Sequence, residues 1–206
     1  MTIDTNELLS SIRESLSRIS YVKPETMPNI DLYMDQVTTF MEEALIGTKR
    51  SDEDKILTKT MINNYAKNNL LPPPEKKKYS KEHLLTLFFI YYFKSIISIG
   101  DLEKLLKPIT DKHFKATDSH NMEWIYSEVF QLEEGAVAEL LKDISKKYER
   151  SLQTFSDAPD EERDDLRLFS FICMLSYDVF IKKLLIEKII DDFNKQPVSE
   201  KDSKKK

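Results

Sequence analysis

Thr60, Asn63, Asn64 and Lys67 stand at i, i+3, i+4 and i+7, so on a helix they share one face. That face would carry neutral carboxamides, a hydroxyl and one cation. A carboxamide sets a donor beside an acceptor and matches the N6 and N7 edge of adenine, while Lys and Thr suit phosphate oxygens. A helix of this width fits the major groove of double-stranded DNA. Lys59, one residue upstream, is expected to hold phosphate. Lys76, Lys77, Lys78 and Tyr79 follow closely, where a short wing would lie along the phosphate backbone. The plain alternative for any polar stripe is a solvated helix face.

Charge distribution favours the first reading. The chain's formal net charge is −5, yet residues 49–81 hold nine Lys or Arg against four acids, while residues 119–165 hold five against thirteen. A basic island on an acidic molecule, coincident with the amide stripe, is the electrostatic footprint of a DNA reader. The whole molecule is too acidic for indiscriminate binding to nucleic acid.

Catalytic chemistry finds little to work with. His83, His113 and His120 are the only histidines. His113 and His120 straddle an expected helix start, with no Cys or further His to complete a zinc set. Adjacent acids such as Glu133-Glu134 and Asp191-Asp192 point to different helix faces and so form no dyad. Three glycines in 206 residues leave no phosphate-cradling loop, and no Ser/His/Asp signature is present. The expectation is a protein that is not an enzyme and needs no cofactor or metal. Trp124, Tyr126 and Phe130 are either the lining of an effector pocket or plain core.

The elements that must position these residues are helical. Residues 4–19 read as an amphipathic helix, and residues 30–46 as a second, with Leu32, Met34, Val37, Phe40, Met41 and Leu45 apolar. Thr58 caps a helix that runs to Leu71 and is stopped by Pro72, Pro73 and Pro74. Ser80 caps a longer one, in which Leu84–Ile99 is apolar almost all round but too short and too interrupted to span a bilayer. Ser98 caps a closing helix, 99–107, ended by Pro108. Asp118 or Ser119 opens a helix to about Arg150, with Gly135 a place for a bend. Glu161 to about Lys195 forms the last, apolar over most of its circumference and suited to a core or a dimer seam. Cys173, the single cysteine, sits in that apolar pattern and is expected to be a buried thiol. Near the N-terminus no continuous apolar stretch suggests a signal peptide, and the lone thiol fits a reducing, cytoplasmic setting.

The ordered set Tyr65-x4-Leu70-Leu71-Pro72-Pro73, Tyr79-Ser80, an apolar helix, then Ile97-Ser98-Ile99-x-Asp101-Leu102-x2-Leu105-Leu106 resembles the mercury-resistance-regulator (MerR) type of winged helix-turn-helix. The Leu57–Tyr65 and Lys76–Leu84 strings further resemble a bacterial family of uncharacterised, suspected transcriptional regulators. The resemblance covers Ile30 to about Leu106. It implies a recognition helix, a wing and a closing helix. Asn63-Asn64 stands where the MerR pattern has Arg-Tyr, and the wing is shortened.

The expected architecture is all-α with a minimal β wing. It divides into an N-terminal helix and connector (1–29), a MerR-like winged helix-turn-helix (30–108), a helical dimerisation or effector region (109–195) and a lysine-rich disordered tail (196–206). The expected function is sequence-specific DNA-binding transcriptional regulation by a cytoplasmic homodimer that has no membrane partner. Its recognition helix would span residues 58–71. The competing class is an adaptor or anti-regulator that keeps the fold and binds protein instead.

Overall fold

The computed structural model describes residues 7, 10–12, 14–15, 21–131 and 136–193. It is mainly helical, with one small two-stranded sheet. The expected bend at Gly135 and the tail from 196 lie outside the described residues, as do parts of the first amphipathic helix.

The chain enters through Tyr21 and Val22 and a single 3-10 turn, Pro24–Thr26. Leu32–Tyr33 then forms strand β1, which pairs antiparallel with β2, Lys78–Tyr79, in the register Leu32 to Tyr79 and Tyr33 to Lys78. The helix expected from residue 30 therefore starts later, as α1, Met34–Leu45. Leu32 is apolar for burial in the sheet, not for a helix stripe. Along α1, Val37, Met41 and Leu45 are buried at four-residue intervals, the spacing that keeps one helix side on the core.

Helix α2, Lys59–Lys67, begins where expected: the Thr58 hydroxyl accepts from the Met61 amide at 3.2 Å. It ends earlier than the prolines demand. Asn69 adopts φ 56°, and the amides of Leu70 and Leu71 both donate back to the Tyr65 carbonyl. This left-handed residue just past the helix is a common helix stop, and Asn tolerates it better than most. Leu70 and Leu71 then drop into the core.

Helix α3, Lys81–Phe93, is the centre of the molecule. Every residue from His83 to Ile90 is buried, so two consecutive turns have no solvent face. It stops at Phe93 rather than Ile99, and Lys94 just beyond it donates from Nζ to the Ile56 carbonyl at 2.7 Å. Helix α4, Ile99–His113, has the expected Ser98 cap, with Asp101 N donating to the hydroxyl at 3.1 Å. It runs straight through Pro108. The proline costs one intrahelical bond, to the Lys104 carbonyl, and both residues are exposed, so solvent can satisfy that oxygen.

The segment expected as one helix from 118 to 150 is described as α5, Met122–Gln131, and α6, Ala136–Ser151. Asn121, not Asp118 or Ser119, caps it, accepting from the Trp124 amide at 3.0 Å. The two pieces serve different cores. Met122 and Tyr126 of α5 pack into the main core, which runs from Met27 to Tyr126. Ile144 and Tyr148 of α6 form a second core with Phe171 of the last helix, α7, Asp160–Phe193. Helix α7 rejoins the main core at Ile190. Cys173 on α7 is exposed, contrary to the buried thiol expected. The pattern around it is apolar, but only one side of that helix is covered. No helix among the described residues is long and apolar enough to cross a membrane.

Candidate nucleic-acid interface

Helix α2 is held from beneath by Ile62 and Tyr65, with Ile56 and Leu57 buried just before it. Lys94 holds that entry through its bond to Ile56, and its ammonium lies 4.7 Å from the Tyr91 ring centroid. Burial holds the Lys94 ammonium below its usual range. With the inner side so anchored, Thr60, Asn63, Asn64 and Lys67 are all exposed. The four share the outer side of a capped, well-seated helix.

The lysine turn is a two-residue hairpin. Glu75 and Lys78 exchange both backbone bonds, at 3.1 and 2.9 Å, and Lys76 and Lys77 sit at its tip with φ 49° and 65°. Two left-handed residues in succession match the twist of the flanking strands but normally call for Asn-Gly. Lysine in both places costs roughly 1–2 kcal/mol per residue. The hairpin is secured along its sheet edge and also meets one solvent-exposed ion pair, worth little by itself. Its β2 edge pairs with β1, and Lys115 reaches from beyond α4 to the Glu75 carboxylate at 3.0 Å. That contact and the neighbouring Lys115 charge hold Glu75 below the usual carboxylate range.

The expected contact residues divide. Lys67, Lys76 and Lys77 are exposed and, among the described residues, have no ion-pair partner. Lys59 is exposed but pairs with Asp35 of α1. Lys78 is half-buried, with its ammonium 5.3 Å from the Tyr33 ring centroid. Tyr79 departs from expectation: it is 3% exposed, and its ring meets His83 edge-on at 5.3 Å. Its place in β2 turns it inward, so it is a core residue and not part of a wing surface. Tyr126 is fully buried and its hydroxyl donates to the Val22 carbonyl at 3.0 Å, while Phe130 packs on it at 4.5 Å. Both fill space. Trp124, by contrast, is exposed and lies edge-on to His120.

His83 carries a role that its sequence position signals only faintly. It is the third residue of α3, where Glu or Gln usually closes a capping box. Its Nδ1 accepts from the Ser80 amide at 2.9 Å, and it is 3% exposed. Burial lowers its pKa below the ordinary value, partly offset by the nearby carbonyls of Pro73 and Pro72 and the charge of Glu82. The neutral ring thus ties the base of the hairpin to the central helix. The Lys115–Glu75 clasp spans forty residues and leaves no local sequence signal.

A mainly α protein with a stapled lysine hairpin beside an amide-bearing helix is the class these features define. The family model described as "Domain of unknown function (DUF1836)" matches residues 22–129, and the chain belongs to that family. The matched span holds every buried residue of the main core except Ile190 and leaves α6 and α7 outside it. No curated protein and no solved structure matches the chain.

Proposed function

We propose that this protein is a sequence-specific DNA-binding transcriptional regulator built on a MerR-like winged helix-turn-helix. Thr60, Asn63, Asn64 and Lys67 enter the major groove, and Lys76 and Lys77 hold phosphate at the hairpin tip. The observation that carries the reading is that Lys67, Lys76 and Lys77, which have no ion-pair partner among the described residues, and the carboxamides Asn63 and Asn64 are all exposed. Unpaired lysines can displace condensed counterions from DNA without first giving up a carboxylate. The left-handed lysines add to this, since strain retained at a surface tip points to a use for the side chains.

Binding to DNA from the protein's own upstream region, titrated against salt, tests the proposal. Wild type is expected to lose affinity linearly on a log–log plot. Replacing Lys67, Lys76 and Lys77 with Ala should flatten the slope by about 0.9 per lysine. An unchanged slope would remove the hairpin and α2 from the interface.

A second reading, a protein-binding adaptor, is favoured by the carboxylates that already engage part of the basic island. Lys49 pairs with Glu42 at 2.7 Å, Lys59 with Asp35, and Lys81 with Glu123 at 2.8 Å. No salt-dependent affinity for any duplex is the result this reading expects.

A further inference from the structure

Helix α7 leaves much apolar surface exposed. Eleven of its large apolar side chains are between 37% and 64% exposed, among them Tyr177 at 63%, Phe180 at 54% and Leu184 at 47%. Five of them, Phe169, Tyr177, Phe180, Ile181 and Leu184, fall by the helical period on the side away from Phe171 and Leu175, and at about half of roughly 200 Å² each they leave on the order of 500 Å² of apolar surface there. The opposite side is already used: Phe171 packs on Tyr148, and Asp178 pairs with Lys147 at 2.7 Å, both on α6.

The exposed side has a repeat of its own. Leu166 and Ser170, half-buried, and Cys173, Tyr177, Phe180 and Leu184, exposed, are spaced four, three, four, three and four residues apart, the alternation of a two-helix seam. This series is symmetric about Leu175. An antiparallel second helix centred there sets Leu166 against Leu184, Ser170 against Phe180 and Cys173 against Tyr177. It also sets Glu162 against Lys188 and Arg163 against Glu187, opposite charges at both ends. A parallel, in-register pair would instead stack the acidic first turns, Asp160, Glu161 and Glu162, on each other.

We infer that the outer side of α7 is the interface between two copies of this chain, packed antiparallel about Leu175. The inference does not rest on DNA binding, and α7 lies outside the family-matched span. The spacing and the self-complementary charge call for the same occupant. Because Cys173 faces Tyr177 of the second copy, two Cys173 thiols are offset by about four residues along the axis, about 6 Å at 1.5 Å per residue. With ~8–10 Å between axes and Cα atoms at a radius of ~2.3 Å, an aligned pair facing across the seam lies roughly 3.5–5.5 Å apart, within the ~7 Å limit for a disulfide, while the offset Cys173 pair lies about 7–8 Å apart, at or beyond it.

Sedimentation equilibrium of the full chain at micromolar concentrations tests the interface. Wild type should give twice the chain mass of 24.2 kDa. The double variant Phe180→Glu/Leu184→Glu, shown folded by circular dichroism, should dissociate about a hundredfold or more weaker. Under mild oxidation Tyr177→Cys should cross-link into covalent dimers, while wild type should not. A monomeric wild type overturns the interface, including one that instead binds lipid vesicles or a different protein through α7. A double variant as dimeric as wild type does the same. Wild-type cross-linking through Cys173 alone overturns the antiparallel register.

Discussion

Lys76 and Lys77 set a local conflict that can be measured. Both occupy left-handed backbone at the tip of a two-residue hairpin, where Asn-Gly would be relaxed. Replacing them as Lys76→Asn/Lys77→Gly should therefore raise unfolding stability, by about 1 kcal/mol or more. If the lysines serve phosphate, the same change should weaken duplex binding. Urea denaturation and a binding titration on one protein sample give both numbers, and a gain in stability with unaltered affinity would show that the tip has no part in recognition. Residue-scale features of this kind are partly legible. The exposed side of α2 follows from four positions and a helical period. The inward turn of Tyr79 does not, because it is decided by pairing with Leu32, far away in the chain.

At the scale of the element, α3 and its start carry the clearest pH response. The Ser80 amide donates to His83 Nδ1, so a proton on that nitrogen would oppose the bond and would also charge a buried ring. The folded pKa lies below the ordinary value of 6.5. Above that value the group is neutral in both states and its contribution to stability is complete. As pH falls through it, the unfolded chain takes up a proton that the folded chain refuses, and stability declines toward the lowered folded value. The urea midpoint of wild type should thus drop between roughly pH 7 and pH 5 relative to His83→Gln. Gln can accept from the Ser80 amide without titrating, so equal slopes for the two proteins would contradict the assignment. Element starts were readable from short capping signals, as at Thr58 and Ser98. Element ends were less so: Pro108 is tolerated inside α4 where it and Lys104 are exposed, and Asn69 stops α2 before the prolines are reached.

The molecule as a whole is organised around two apolar clusters joined through α7. Among the described residues Ile190, 4% exposed, is the buried member of the main core that α7 supplies, while Phe171 serves the smaller cluster near its other end. Ile190→Ala should cost about 2–5 kcal/mol if the two clusters unfold as one unit. Calorimetry would then show a single transition moved to lower temperature, whereas an unaltered main transition would mean that α7 is only loosely attached. The apolar girth of α3 announced a central helix, and the apolar circumference of α7 announced a helix needing cover. Which side of α7 stays open could not be read from composition, since it depends on how α6 folds back.

The opening and closing segments of the family span meet in space. The Tyr126 hydroxyl bonds the Val22 carbonyl, and Tyr21 stacks on Phe130 at 5.3 Å. A unit whose entrance and exit adjoin can be spliced into a surface loop of an unrelated host without stretching either protein, or re-threaded with a new starting point.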